Sequence, residues 1–493
     1  MHVIATRSRH AQAAGGVRLR APRLAARRTP RRAAVTCVLA VLVLLILAAE
    51  AHAYVSGQLI WAKRIGTSTA EAGAWAVAAG PNGATAVAGW QVVPQAGPPP
   101  MVQVPMVARY TAGGARWVRT LTSPGYAEDV AFDKAGNVYV TATVDPSLGG
   151  DIVVAKYDAA GVWQWTTTPY DGTGGGSPDS AQQIAVDGAG NVVVAGYSAV
   201  SGGGKTGIVV LKYDAANGTM MWATPGGVFP SSSDPDTGDY YLADLKLDAA
   251  GDIYVAGSQI LRSGGVWLHH ARVVKFAGAT GAWANGWTYE PRHAPAAIFE
   301  GLAVRGSTVV AVGSIWDPSV NRSEHAVVAR YDLNLAPKNA REWGVGDTTE
   351  EWFGDVVLDG SANVYVTGDQ WLDTKTGYDR AVTIKFNPTL AKIRWKATYL
   401  PRSRDAEGWY IVRDGAGNVY VAGVKDTGDY EDFLTIKYSP TGARKWLKTW
   451  SGGGPDDDEP NGMVLGTKGG VYVGGQVTGK GDISQAALLK YQR

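Results

Sequence analysis

Along most of the chain, apolar and polar residues alternate over runs of four to six positions, the two-residue period of a half-buried β-strand. The stretch DVAFDKAGNVYVTAT (129–143) shows it, followed closely by DIVVAKYDAAGVWQW (151–165). Two recurring turns, D-x-x-G-N and Y-D-x-x-G, break the runs; in them Asp can bond backbone amides and Gly or Asn can take positive φ. The block returns as QIAVDGAGNVVVAGY (183–197), DLKLDAAGDIYVAGS from Asp244, DVVLDGSANVYVTGD from Asp355 and IVRDGAGNVYVAGV from Ile411. Each block predicts four short antiparallel strands.

Three landmarks give the number of blocks. The turn and the strand after it recur eight times. The aromatic ending the third strand does the same, as Tyr110, Tyr157, Tyr213, Phe276, Tyr331, Phe386, Tyr438 and Tyr491. A Trp in the fourth strand is the third landmark, at Trp61, Trp117, Trp165, Trp222, Trp287, Trp343, Trp395 and Trp446. The period is about 55 residues. One such sheet cannot bury both faces, so the units must stack radially as blades. The expected fold is all-β, an eight-bladed β-propeller spanning residues 54–493, with seven blades as the alternative count. The first unit begins with SGQLIW (56–61), which matches a fourth strand, and LLKYQR (488–493) follows a third, so the N-terminal strand is expected to complete the last blade.

Composition changes the picture at the N-terminus. Residues 1–32 carry nine Arg and no acid, and the apolar run AAVTCVLAVLVLLILAA (33–49) precedes Ala51-His52-Ala53, a small-x-small cleavage pattern. Residues 1–53 therefore read as a secretory signal peptide, with an uncleaved membrane anchor as the alternative. Its removal leaves 37 basic and 43 acidic side chains, a charge of about −6, and takes away Cys37, the single Cys. The acidic balance argues against nucleic acid and anionic membranes as partners, and a membrane enters only through an uncleaved N-terminal segment. A mature chain without Cys excludes disulfides, thiolate catalysis and Cys-ligated zinc.

The D-x-x-G-N-x-Y-V-x-G core with its K-Y-D-x-x-G turn resembles the SBBP beta-propeller repeat family of bacterial secreted proteins. The matches are strongest at Asp133–Thr141, Asp187–Gly196, Asp359–Gly368 and Asp414–Gly423, and the likeness covers nearly all of residues 54–493. It implies a propeller and export to the cell surface or beyond, and no particular reaction; the family's name implies seven blades. Turns such as YDAANGTMMW and FAGATGAWANGW are similar to the tryptophan-docking repeats of quinoprotein dehydrogenases, which are eight-bladed. That second likeness implies a quinone stacked on a cysteine pair, and the mature chain has no Cys to supply one. No cofactor is required by the sequence, and calcium is the ion its acids could take.

Acids gather where each unit's first strand begins: Glu71, Glu128 and Asp129, Asp179, Asp239, Glu300, Glu350 and Glu351, Glu407, and Asp456 to Glu459. In a propeller those loops surround the mouth of the central channel. The loops between second and third strands open on the same face and bring Trp90, Trp267, Trp316 and Trp371, with Tyr197 and Tyr430. Aromatic faces beside carboxylates suit carbohydrate, since a ring stacks on the C–H face of a sugar while the acids accept hydroxyl protons. The plainer alternatives are solubilising surface acids and rings packed onto neighbouring loops. Asp234, Asp236 and Asp239 in DPDTGDYY have the alternate spacing of an oxygen-ligand calcium loop. The four histidines of residues 54–493 (His269, His270, His293, His325) form no metal-binding or Ser-His-Asp spacing. The expectation is a secreted or surface-held, non-catalytic binding module for polysaccharide or a cell-envelope protein, its oligomeric state open. A glycan-cleaving enzyme using two rim carboxylates is the alternative.

Overall fold

The structure, a computed structural model, describes residues 57–67, 70–95, 100–172, 178–199, 206–224, 237–263, 265–320, 324–344, 349–371, 377–402 and 404–493. The expected export segment lies outside them, as do Asp234 and Asp236; Asp239 is described in its backbone alone. No helix among the described residues is long and apolar enough to cross a membrane.

Among the described residues, thirty-two strands form eight four-stranded antiparallel sheets. The inner strands of blades 1 to 8, in chain order, are Ala72–Ala79, Gly125–Phe132, Ser180–Val186, Thr237–Leu247, Ala296–Arg305, Glu350–Leu358, Tyr410–Arg413 and Glu459–Leu465. Blade 8 is completed by Leu59–Ile65, which pairs with Ile483–Gln492. Gly57 N–H also donates to Gln492 O at 2.9 Å, and Gln492 N–H to Gln58 O at 2.9 Å. The ring is thus closed by strand pairing, and eight is the blade number. The core is divided in the same way, into eight clusters of buried apolar side chains, one in each cleft between successive blades.

Each part of the repeat has a physical task. The Asp of D-x-x-G-N-x-Y ties its turn together: Asp359 accepts Asn363 N–H at 2.9 Å, the Asn363 side-chain amide at 2.8 Å and Tyr365 OH at 3.0 Å. Asp414, Asn418 and Tyr420 repeat the arrangement at 2.8, 2.9 and 3.0 Å. Where blade 3 lacks the Tyr, Asp187 pairs instead with Lys212 at 2.8 Å. The fourth-strand Trp of one blade lies under the third turn of the next. A Cβ on Gly161 would come within 2.8 Å of Trp117, on Gly218 within 2.7 Å of Trp165, and on Gly442 within 2.7 Å of Trp395. The indole N–H groups of Trp117, Trp165 and Trp395 donate to backbone carbonyls of those same turns at 3.1 to 3.2 Å. Gly57 covers Trp446 in this way, so the closing strand enters blade 8 through the same contact that Gly161, Gly218 and Gly442 make in their blades.

Candidate functional site

In seven of the eight inner strands the pairing with the second strand shifts register, as between Ala127 and Asp129 or Phe299 and Gly301; in blade 7 the pairing of Tyr410–Arg413 runs without a shift. Such a bulge places two successive residues on one side of the strand. The bulged residue and its successor therefore both face the channel, and this sets what the channel holds. At the mouth are Trp75, Glu128, Glu300 and Trp409, with Trp352 beside them; one step deeper are Asp129, Gln183, Asp244, Asp355 and Tyr410. Together they line a chamber of about 480 Å³.

The three aspartates belong to blades 2, 4 and 6 and clasp each blade to the next. One oxygen of each accepts its own following N–H: Val130 at 2.8 Å, Leu245 at 2.8 Å and Val356 at 2.7 Å. The other accepts an N–H from the neighbouring inner strand: Ile184 at 3.0 Å, Leu302 at 3.0 Å and Ile411 at 2.9 Å. Lys246 is the cation among them and forms an ion pair with Asp244. Burial works against the Lys246 charge, but Asp244, then Asp355 and Asp129, outweigh it and raise its pKa. Its side chain is 43% accessible because it faces a water-wide channel instead of packed protein. Lys246 also borders a second chamber of about 440 Å³, walled mainly by apolar residues such as Leu302, Val356 and Val464, so it divides the channel in two.

Carboxyl groups in the upper chamber hold protons unusually well. Burial, and then the charge of Asp129, pushes Glu128 up to about 8. Burial raises Asp129 to about 6 against the pull of its two N–H bonds, and Asp355 to about 7 in the same way. Glu300 is raised too, by burial first, while its hydrogen bond from Tyr241 OH at 2.8 Å acts the other way.

These shifts predict how stability depends on pH. An acid whose folded pKa exceeds its unfolded value favours the folded state fully below the unfolded pKa, and the advantage is lost as pH rises to the folded pKa. Here the window runs from about 4 to about 8. The protein is expected to be less stable at pH 8 than at pH 5 by roughly 2 to 4 kcal/mol, channel water screening part of the effect. Thermal unfolding at the two pH values measures it, and Glu128→Gln should flatten the slope; an unfolding temperature that holds or rises from pH 5 to pH 8 would contradict it.

Of the residues singled out from the sequence, Glu128, Asp129 and Glu300 line the chamber. Glu407 borders it, accepting the Trp409 indole N–H at 2.8 Å. It also belongs to a group of acids on the same face: burial, then Glu407, Asp379 and Glu324, raises Asp369, and burial, then Glu407 and Asp405, lifts Asp379 to about 6. Glu71 and Glu459 are exposed. Glu351 is buried, accepting Gln370 Nε2 at 2.7 Å and facing His325 Nδ1 at 3.3 Å, where it ties loops together. Asp179 is buried between blades 2 and 3, away from the chamber lining. Trp90, Trp267, Trp316 and Trp371 stand in blades 1, 4, 5 and 6, and none lines the chamber. Trp90 lies against Gly73, Trp267 is half exposed on a hairpin, and Trp316 packs on the His269 ring with centroids 5.6 Å apart.

No protein-family model matches the chain, and no curated protein does. Solved structures do. The polysaccharide lyase Uly1 is 11% identical over 90% of this chain and 94% of its own, with a TM-score of 0.44. The β-propeller domain of the Trilobed protease from Pyrococcus furiosus, described as having an open velcro topology, is 10% identical over 80% of this chain and 96% of its own, with a TM-score of 0.42. The WD40 domain of SCAP from fission yeast is 9% identical over 87% and 98%, with a TM-score of 0.44. At this level the likeness concerns architecture alone, and the chain's own strand order is what makes it an eight-bladed β-propeller.

Proposed function

We propose that this protein is an exported carbohydrate-binding propeller whose ligand enters the upper chamber of the channel. One observation carries the reading: the half-buried rings of Trp75, Trp352 and Trp409 surround carboxyl groups that differ in protonation. At neutral pH Glu128 keeps its proton, Asp129 has mostly lost its own, and Lys246 is charged, so the chamber offers donors and acceptors together. A polyhydroxylated neutral ligand uses both, whereas a simple cation would meet the lysine at the floor. A volume of about 480 Å³ falls within the range of small-molecule pockets.

The purified protein, applied to a glycan array and then titrated with its best ligand, is expected to bind; Trp409→Ala and Trp352→Ala should each weaken binding about tenfold, the worth of a lost stacking surface. Trp371→Ala, outside the chamber, should leave affinity unchanged. Absence of binding to any glycan, or unaltered affinity in both chamber variants, would refute the proposal. A second reading, glycan cleavage, is favoured by Glu128 alone, a carboxyl still protonated at neutral pH and so able to donate to a leaving group. It requires that the bound glycan be cut and that Glu128→Gln retain binding while abolishing product.

A further inference from the structure

We infer that a calcium ion binds between blades 2 and 3, held by Asp151, Asp171 and Asp179. Each of the three offers a carboxylate oxygen, and these oxygens all lie within 4.8 Å of one another. The site is separate from the channel chamber, which none of the three lines.

The backbone brings the three residues together before any ion arrives. Asp151 opens the third strand of blade 2, Asp151–Tyr157. Tyr170, next to Asp171, bridges back to Ile152, with N–H to O distances of 2.9 and 3.1 Å. Asp179 N–H donates to Gly150 O at 3.2 Å, just before the inner strand of blade 3. Both later aspartates are thus pinned to the start of the strand that carries the first.

Asp179 supplies the sign that something is meant to be bound. It is 1% exposed, one of its oxygens accepts Gly172 N–H at 2.9 Å, and its Oδ1 makes no well-formed hydrogen bond within the protein. The Ser198 hydroxyl, also buried, lies with Asp179 Oδ1 and Tyr170 OH around Gly172, near both but in well-formed hydrogen bonds with neither. A buried carboxylate oxygen left unpaired is costly, and a cation is the partner that relieves it while also neutralising two neighbouring carboxylates.

The donor set selects the metal. Only oxygen is offered, which suits a hard divalent ion and not zinc or copper. Oxygens on opposite sides of calcium stand about 4.6 to 5.2 Å apart, against about 4.1 Å for magnesium, and a spread of up to 4.8 Å accommodates the larger ion with water completing its shell.

Calorimetric titration of the chelator-stripped protein with calcium chloride is expected to show one ion per chain and a raised unfolding temperature, with magnesium binding more weakly. Asp151→Asn and Asp171→Asn, at positions less buried than Asp179, should each weaken calcium binding about tenfold while the far-ultraviolet circular dichroism stays that of the parent. Glycan binding at the channel should persist in both variants, which separates this site from the proposed carbohydrate site. No binding at millimolar calcium, or binding that both variants retain in full, as an ion held at Asp234, Asp236 and Asp239 would give, overturns the assignment.

Discussion

A Gly368→Ala chain is expected to lose roughly 3 kcal/mol of stability, enough to lower its unfolding temperature by several degrees, although the substitution adds a single methyl group. The cause is the bulge in the inner strand of blade 6. It pushes the carbonyl of Trp352 towards the second strand, so that a Cβ on Gly368 would lie 1.8 Å from that oxygen. Neither partner can yield without breaking the strand pairing that closes the sheet. The same approach recurs at Gly89, Gly196, Gly257, Gly313 and Gly475, where the added carbon would meet a first-strand carbonyl at 1.9 to 2.2 Å, and at Gly423, where it would meet Glu407 O, just ahead of the inner strand of blade 7, at 2.1 Å. In the seven blades that carry it, the glycine of the V-x-G core is therefore a steric requirement. Blade 2 alone carries alanine there, Ala142, and its inner strand instead opens on Gly125 at φ +144°. Ala142→Gly supplies the control and should cost only about 1 kcal/mol. Chemical denaturation of the two variants beside the parent decides the matter, and equal losses would show that the bulge is not what demands glycine.

That glycine also marks where the sequence is legible. Strand alternation, the Asp of each turn, the fourth-strand Trp and the closing strand are local or strictly repeated, and the fold follows from them. The channel lining is different, because reading which residues face inward assumes an unbroken two-residue period. The bulge breaks that period in the inner strand. Trp75 and Glu128 occupy corresponding positions in blades 1 and 2, yet ordinary alternation would send one of each pair Glu128–Asp129 and Trp75–Ala76 away from the channel. Attention then falls on the tryptophans of the hairpins, Trp90, Trp267, Trp316 and Trp371, which are spread around the ring and so do not converge. The acids are legible, since like charges crowd the loops of one face whichever way each points; Glu128, Asp129, Glu300 and Glu407 emerge on that ground. Lys246, within DLKLD, looks like any exposed strand lysine. The available signal was its column: the corresponding residues are Ala78, Ala131, Ala185, Ala303, Val357, Val412 and Val464.

Replacing that lysine should have a large and pH-dependent effect. Lys246→Met preserves length and apolar bulk but leaves Asp129, Asp244 and Asp355 facing one another with no cation in the channel floor. Removing one partner of a buried charge group costs about 3 to 5 kcal/mol, and channel water places this case at the lower end, about 3 kcal/mol at pH 7.5. The raised pKa of Lys246 means that its own charge is retained, and its contribution fully present, throughout the range below about 10. The pH dependence of the loss therefore comes from the carboxylates. Asp129 and Asp355 already titrate near 6 and 7 with the lysine present, and without it they must rise further. At pH 5 they take up protons in the variant and need no counterion, so the deficit should shrink to about 1 kcal/mol; between pH 5 and pH 8 it should grow. Lys246→Arg, which keeps the charge, should lose far less at either pH. Denaturation of the parent and both variants at pH 5 and pH 7.5 tests this, and a Lys246→Met deficit that is the same at both values would mean that the lysine acts by filling the channel and not by balancing its acids.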